Sequence, residues 1–319
     1  MSTAALPVQP GALNIQFTRI LLGADFSPAS RRALSYALAI ARRYGSEILV
    51  LHAISPEPRE AIPLDPLPGE LNREQLQARE EMRALEEKFD FTNVQHKNEI
   101  VFGNAEDVLA AAIEHEHPDL LILGTHGRGA VGKLALGSVA EELLRIVPCP
   151  VLTVGPHVPE LTRERIDFKS ILFPTDFGSA CAHAFPFALS LAEDHASKLV
   201  LLHMMPPIAH AQAGDGMWNP GDYALEDFSA WCERRREESL CKLKATIPPE
   251  ARLASEPAYV AEFSFLPEGI LDTAQMYNSE LIVLAANRSR WPRIAAHLPW
   301  TVIHNVLCKA KCPVLTVRD

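Results

Sequence analysis

No apolar run in this 319-residue chain reaches the roughly 18 residues that a membrane-spanning helix needs, so no span is expected. Met1 to Asn14 carries neither the basic start nor the apolar stretch of a secretory signal, and the expected location is the cytoplasm. Cysteine is scarce: six residues are far from a disulfide scaffold, and Cys308 and Cys312 lack the second ligand pair of a zinc module. Reduced, partly buried thiols are the expected state. Positive charge is also short, with 30 Lys and Arg against 40 Asp and Glu, a net charge of -10. General binding to nucleic acid or to an anionic membrane needs a positive field that this chain lacks. What is present is ample apolar material, 48% of residues, which is globular and sufficient for two domains.

The two domains are visible as an internal repeat. Phe17-Thr-Arg-Ile-Leu-Leu-Gly-Ala-Asp25 falls on Phe168-Lys-Ser-Ile-Leu-Phe-Pro-Thr-Asp176 at an offset of 151. From Phe17 to Ile54 this register holds without a gap and gives 13 identities in 38 positions, the His52/His203 pair included. Cys149-Pro-Val-Leu-Thr-Val154 returns as Cys312-Pro-Val-Leu-Thr-Val317 at an offset of 163, so repeat two has a net insertion of twelve residues. A period this long is a domain duplication and not a solenoid. The expected organisation is a disordered terminus over residues 1–14, domain one over 15–155, a linker over 156–167 and domain two over 168–319.

Within repeat one, short apolar runs alternate with helical patterns, the signature of a parallel sheet with crossover helices. Strands are expected at Ile20 to Ala24, Ile48 to Ile54, Val94 to Val101, Leu120 to Leu123 and Val151 to Val154. Ser27 as cap, Pro28 in the first turn and Gly45 past the end bound the first helix at Pro28 to Tyr44. The apolar face of Leu71, Ala78, Met82, Leu85 and Phe89 marks the second, and Ala105 to Glu116 the third. Ser138-Val-Ala-Glu141 reads as a capping box opening the last helix. In repeat two, Pro186 is expected to kink or delay the first helix.

Chemistry concentrates in the segment Gly124-Thr-His-Gly127-Arg-Gly-Ala-Val-Gly-Lys-Leu-Ala-Leu-Gly137-Ser138, which leads from a strand through a glycine-rich loop into a helix. Such a passage cradles phosphate on backbone N–H groups. A P-loop requires Ser or Thr after its lysine, and Lys133 is followed by Leu134. A dinucleotide fingerprint requires an acid about 20 residues on, and that region holds only Val151-Leu-Thr-Val154. The third pattern, Gly124-x2-Gly127-x9-Gly137-Ser138, is complete. Gly127 and Gly137 would let phosphate oxygens approach the main chain, and the helix that begins at Ser138 and Val139 adds a partial positive charge. Asp25 ends strand one, where ligands bind in open α/β sheets. His52 and His203 read as packing or capping a strand end.

Taken with Leu-Leu-Gly23-Ala-Asp25-Phe-Ser, His52-Ala53, Gly103 and the Pro148-Cys-Pro-Val-Leu-Thr-Val154 ending, this pattern resembles the universal stress protein (UspA-type) family, as a tandem pair. The resemblance implies two tandem open, mostly parallel five-stranded sheets with helices on both faces, a Rossmann-like α/β class also described as adenine nucleotide alpha hydrolase-like. It also implies ATP, or a related adenine nucleotide with magnesium as an optional companion, bound in repeat one. Gly124, Gly127, Gly137, Ser138 and Val139 would hold the phosphates, and Gly23, Asp25 and Ala53 would flank the nucleoside. A regulatory stress role with an unknown protein partner follows, with hydrolysis slow at best, since no base or arginine finger is identifiable. The alternatives are a nucleotide-free stress-protein scaffold and a nucleotide hydrolase or dehydrogenase.

Repeat two departs from the pattern. Alignment puts Ala285 at Gly124, Arg288 at Gly127, Trp300 at Gly137, Thr301 at Ser138 and Phe265 at Gly103, which predicts a degenerate, nucleotide-free half. The retained terminal strands, Val151 to Val154 and Val314 to Val317, are expected side by side and antiparallel, an internal mimic of a dimer that leaves a homodimer open.

Overall fold

The computed structural model describes residues 15–54, 68–125, 136–162, 164–206, 225–287 and 297–319. Contacts divide the chain into two compact units. One comprises Gln16–Ile166 with Leu307–Thr316, and the other Asp167–Val306 with Val317–Asp319.

In the first unit the strands are β1 (Arg19–Gly23), β2 (Glu47–Ile54), β3 (Gln95–Phe102), β4 (Leu120–Gly124) and β5 (Val151–Val154), ordered β3-β2-β1-β4-β5 and mutually parallel. The helices are α1 (Pro28–Tyr44), α2 (Pro68–Lys88), α3 (Ala105–Glu116) and α4 (Ser138–Ile146). The chain steps one way from β1 to β3 and the other way from β3 to β5. Right-handed crossovers therefore place α1 and α2 on one face and α3 and α4 on the other. Strands covered on both faces must be apolar throughout, and Leu120, Leu121, Ile122 and Leu123 of β4 are all buried. Each such side chain contributes about 1.5–3 kcal/mol when fully buried.

The second unit repeats the plan with β6 (Ser170–Pro174), β7 (Lys198–Met205), β8 (Ala258–Phe263) and β9 (Leu281–Ala286) in the parallel order β9-β6-β7-β8. Its helices are α5 (Ser179–Asp194), α6 (Leu225–Thr246) and α7 (Leu266–Met276), followed by α8 (His297–Lys309). The shared serines keep one job in both repeats: the Ser46 hydroxyl donates to the Phe17 carbonyl, and that of Ser197 to Phe168. The last strand, β10 (Val314–Arg318), pairs antiparallel with β5 through Val314–Thr153, Leu315–Leu152 and Thr316–Val151, residues that all fall in the first unit. The side-by-side antiparallel arrangement expected of these strands is thus observed.

Helix α1 has the expected bounds, with the Ser30 N–H donating to Ser27 Oγ at 3.1 Å and Gly45 closing it in the left-handed region at φ 72°. Three expectations need correction. Helix α5 starts at Ser179, the counterpart of Pro28, and includes Pro186, so its start is not delayed. Ser138 is the first residue of α4 and not its cap; Gly137 takes the cap position, and no capping box forms. Gly103 corresponds to Ser264 and not to Phe265. The Gly103 N–H donates to the Ile54 carbonyl as the Ser264 N–H does to Met205, and Asn104 and Phe265 are the caps that follow.

The stretch expected as a linker packs on repeat one. Val158 and Ile166 are buried, and the Leu161 N–H donates to Ser35 Oγ of α1 at 3.0 Å.

Candidate functional site

The strand order reverses between β1 and β4, which opens a crevice at their carboxyl ends. Gly23 ends β1, Ala53 lies next to last in β2, Gly124 ends β4, and Gly137, Ser138 and Val139 begin α4. Six of the eight expected residues thus sit at strand ends or at a helix start on this edge, and Asp25 lies in the turn between β1 and α1. Gly127, the eighth, lies outside the described residues, as do Arg128, Lys133 and Arg288.

Packing alone accounts for two of the glycines. A Cβ on Gly23 would stand 2.6 Å from a methyl of Leu123, and one on Gly124 would stand 2.8 Å from both the Ala29 carbonyl carbon and the Ser30 nitrogen. Gly124 is therefore the point at which the start of α1 crosses β4.

Beyond β4, Thr125 is fully buried; its N–H donates to the Val154 carbonyl at 3.1 Å, and its own carbonyl accepts the Gly137 N–H at 2.7 Å. The start of α4 is thereby fastened to the end of β4. Gly137 has φ -64° and ψ 145°, extended backbone open to any residue. The Ser138 hydroxyl donates to Glu106 Oε1 of α3 at 3.1 Å. Neither Thr125 nor Glu106 had a role in the sequence reading. Glu106 was marked only by being an acid in a first helical turn.

The β1 turn has the same form in both repeats. Asp25 Oδ1 accepts the Ser27 N–H at 3.0 Å, and Asp176 Oδ1 accepts the Gly178 N–H at 2.7 Å. Phe26 and Phe177 take left-handed backbone at φ 60° and 62°, a strained conformation for a bulky residue. Their rings lie 4.4 and 4.5 Å from those of His52 and His203. His52 Nδ1 stands 2.6 Å from the Ala24 carbonyl and His203 Nδ1 2.8 Å from that of Thr175, so each ring caps a strand end. Burial pushes the His203 pKa down, against the raising effect of the Thr175 bond. One carboxylate oxygen of Asp25 is therefore taken by its own turn, a role that does not depend on a ligand.

The repeats diverge at the second wall. Helix α8 begins at His297, so Trp300 and Thr301, the counterparts of Gly137 and Ser138, lie within its first turns. Relative to these positions α8 starts four residues earlier than α4 does. A cavity of about 280 Å³ lies elsewhere, lined by Phe26, Arg31, Glu81, Ala84, Leu85 and Lys88; none of the eight expected residues lines it.

A doubly wound α/β unit, present twice, with a helix start at the switch point of its first copy, defines the class. Sequence comparison gives the family. The universal stress protein family model matches residues 16–155 and again 167–318, and the chain belongs to that family of stress-response proteins, as a tandem member. It is 38% identical over 140 residues to the universal stress protein in the QAH/OAS sulfhydrylase 3' region of Thermus aquaticus, covering 43% of this chain and 98% of that one. The universal stress protein MJ0531 of Methanocaldococcus jannaschii is 26% identical over 141 residues, 43% of this chain and 82% of its own. Among solved structures, the fold matches a universal stress protein from Archaeoglobus fulgidus with a TM-score of 0.66 at 18% identity, over 95% of this chain and 97% of that one.

Proposed function

We propose that repeat one binds ATP or a related adenine nucleotide and that the protein acts as a regulatory component of a stress response. The phosphates would rest at the start of α4 on Gly124, Gly127, Gly137, Ser138 and Val139, with Gly23, Asp25 and Ala53 about the nucleoside. The observation that carries this reading is the helix start fastened beside β1 by the Gly137–Thr125 bond, where N–H groups and the helix dipole favour an anion. In repeat two the corresponding positions, Trp300 and Thr301, lie inside α8. Among the described residues no three His, Cys, Asp or Glu side chains gather to hold a metal. In this reading a magnesium ion would travel on the phosphates, which suits an ion that keeps most of its water. A cytoplasmic location belongs to this same reading.

Calorimetric titration of the full chain with ATP tests it. One site per chain is expected; two equivalent sites, or none at millimolar ATP with magnesium, would overturn it.

A further inference from the structure

The Ser138 hydroxyl has one proton to donate, and it donates it to Glu106 Oε1. A phosphate oxygen at the start of α4 would require that same proton. The carboxylate and the phosphate thus compete for one donor, and both are anionic. We propose that Glu106 sets the form of nucleotide that repeat one accepts, an inference that rests on the nucleotide reading above. Its carboxylate occupies the Ser138 hydroxyl in the absence of ligand. It repels free ATP, and it tolerates ATP whose charge is already reduced by a divalent cation.

A second observation comes from the duplication. Asn104 and Phe265 are the caps of α3 and α7, so the counterpart of Glu106 is Pro267. The carboxylate is present in the repeat that keeps Gly137 and Ser138 and absent in the repeat that has Trp300 and Thr301 in their place. Service to the start of α3 does not explain this pairing, because α7 has its own first-turn acid, Glu268, one residue further on, as α3 has Asp107. What distinguishes Glu106 from Asp107 is its reach to Ser138.

The test is titration of the full-length protein with ATP, in EDTA and in excess magnesium, for the wild type and for Glu106→Gln, Glu106→Ala, Ser138→Ala, Asp107→Asn and the double variant Glu106→Ala with Ser138→Ala. Glu106→Gln should bind ATP in EDTA about tenfold more tightly than the wild type, equivalent to ~1.4 kcal/mol. That gain should shrink in magnesium and at high salt, where the repulsion is screened. Asp107→Asn carries the same change in net charge without the Ser138 contact and should behave as the wild type. Glu106→Ala should gain less when Ser138 is already alanine, since the shared proton is gone. Equal affinities for the wild type and Glu106→Gln in EDTA, or an equal gain in Asp107→Asn, would overturn the role of Glu106 while leaving nucleotide binding intact. Failure of every variant to bind ATP with magnesium would overturn the nucleotide reading, and this inference with it.

Discussion

The Gly137 nitrogen lies 2.7 Å from the Thr125 carbonyl oxygen, a bond that fixes where α4 starts relative to the end of β4. The backbone at Gly137 is extended and accepts any residue. Gly137→Trp, which imports the residue of repeat two, should therefore fold. Its melting temperature without nucleotide should stay near that of the wild type, while ATP affinity falls by roughly 100-fold or more, about 2.7 kcal/mol. Thermal melts with and without ATP separate the two effects, because a ligand that binds the folded state raises its stability by mass action. A variant that still gains stability from ATP would remove Gly137 from the phosphate site.

Gly124 should behave in the opposite way. Its Cβ would meet backbone atoms of Ala29 and Ser30 at 2.8 Å, and backbone at the start of a buried helix has little freedom to withdraw. Gly124→Ala should cost about 1–3 kcal/mol of stability, as overpacking does. Denaturant unfolding without any ligand measures it. A stability equal to the wild type would show that α1 yields at this crossing.

These two glycines also show how far the sequence could be read. Helix α1 was legible to the residue because Ser27, Pro28 and Gly45 each act locally, as cap, first turn and left-handed exit. The parallel sheet with its crossover helices followed from the alternation of apolar runs and helical patterns, while the strand order came only with the fold. What the sequence could not supply were partners set by tertiary contact. Ser138 carries the signature of a cap, yet Gly137 takes the cap and Ser138 turns to Glu106, 32 residues away. Gly23 and Gly124 read as ligand positions, and their packing reasons appear only once Leu123 and Ala29 are in place. Helix α8 starts at His297 with Pro299 in its first turn, where proline is tolerated.

His203 should make the protein sensitive to mild acid. Its pKa is pushed down from 6.5, chiefly by burial, so the folded state favours the neutral ring whose Nδ1–H donates to the Thr175 carbonyl. The unfolded chain binds the proton more readily. The associated stability is therefore complete above about pH 6.5 and is lost as the pH falls through the lowered folded-state value. His203→Asn, whose amide can donate to the same carbonyl, should lose less melting temperature than the wild type between about pH 7.5 and pH 5.5. Parallel pH dependence of the two melts would show that this ring does not contribute.

The thiols should react in order of exposure and pKa. Burial pushes Cys149 up to about 11 and, with the Asp176 carboxylate adding to it, Cys181 up to about 12. The thiolate is the reactive form, so both should resist alkylation of the native protein near neutral pH. Cys241 is exposed and should be labelled first. Peptide mass spectrometry after a timed iodoacetamide pulse decides it, and early labelling of Cys149 or Cys181 would mean that their surroundings open on that timescale.

The paired strands β5 and β10 carry identical residues, Val-Leu-Thr-Val, in unlike circumstances. Thr153 Oγ1 donates to the Val314 carbonyl at 3.1 Å, whereas Thr316 Oγ1 is buried with no hydrogen-bond partner. Both threonines are almost wholly removed from solvent, at 1% and 3% exposure. A buried hydroxyl left unpaired costs about 1–3 kcal/mol, while a satisfied one contributes about 1 kcal/mol. Valine has nearly the same shape and a strong preference for strands. Thr316→Val should therefore stabilise the protein by about 1 kcal/mol, and Thr153→Val should destabilise it by a similar amount, although the two substitutions are chemically the same. Urea unfolding of both variants beside the wild type is the measurement. Shifts of the same sign would mean that the two hydroxyls share one environment and that the asymmetry between these strands is not what sets their stability.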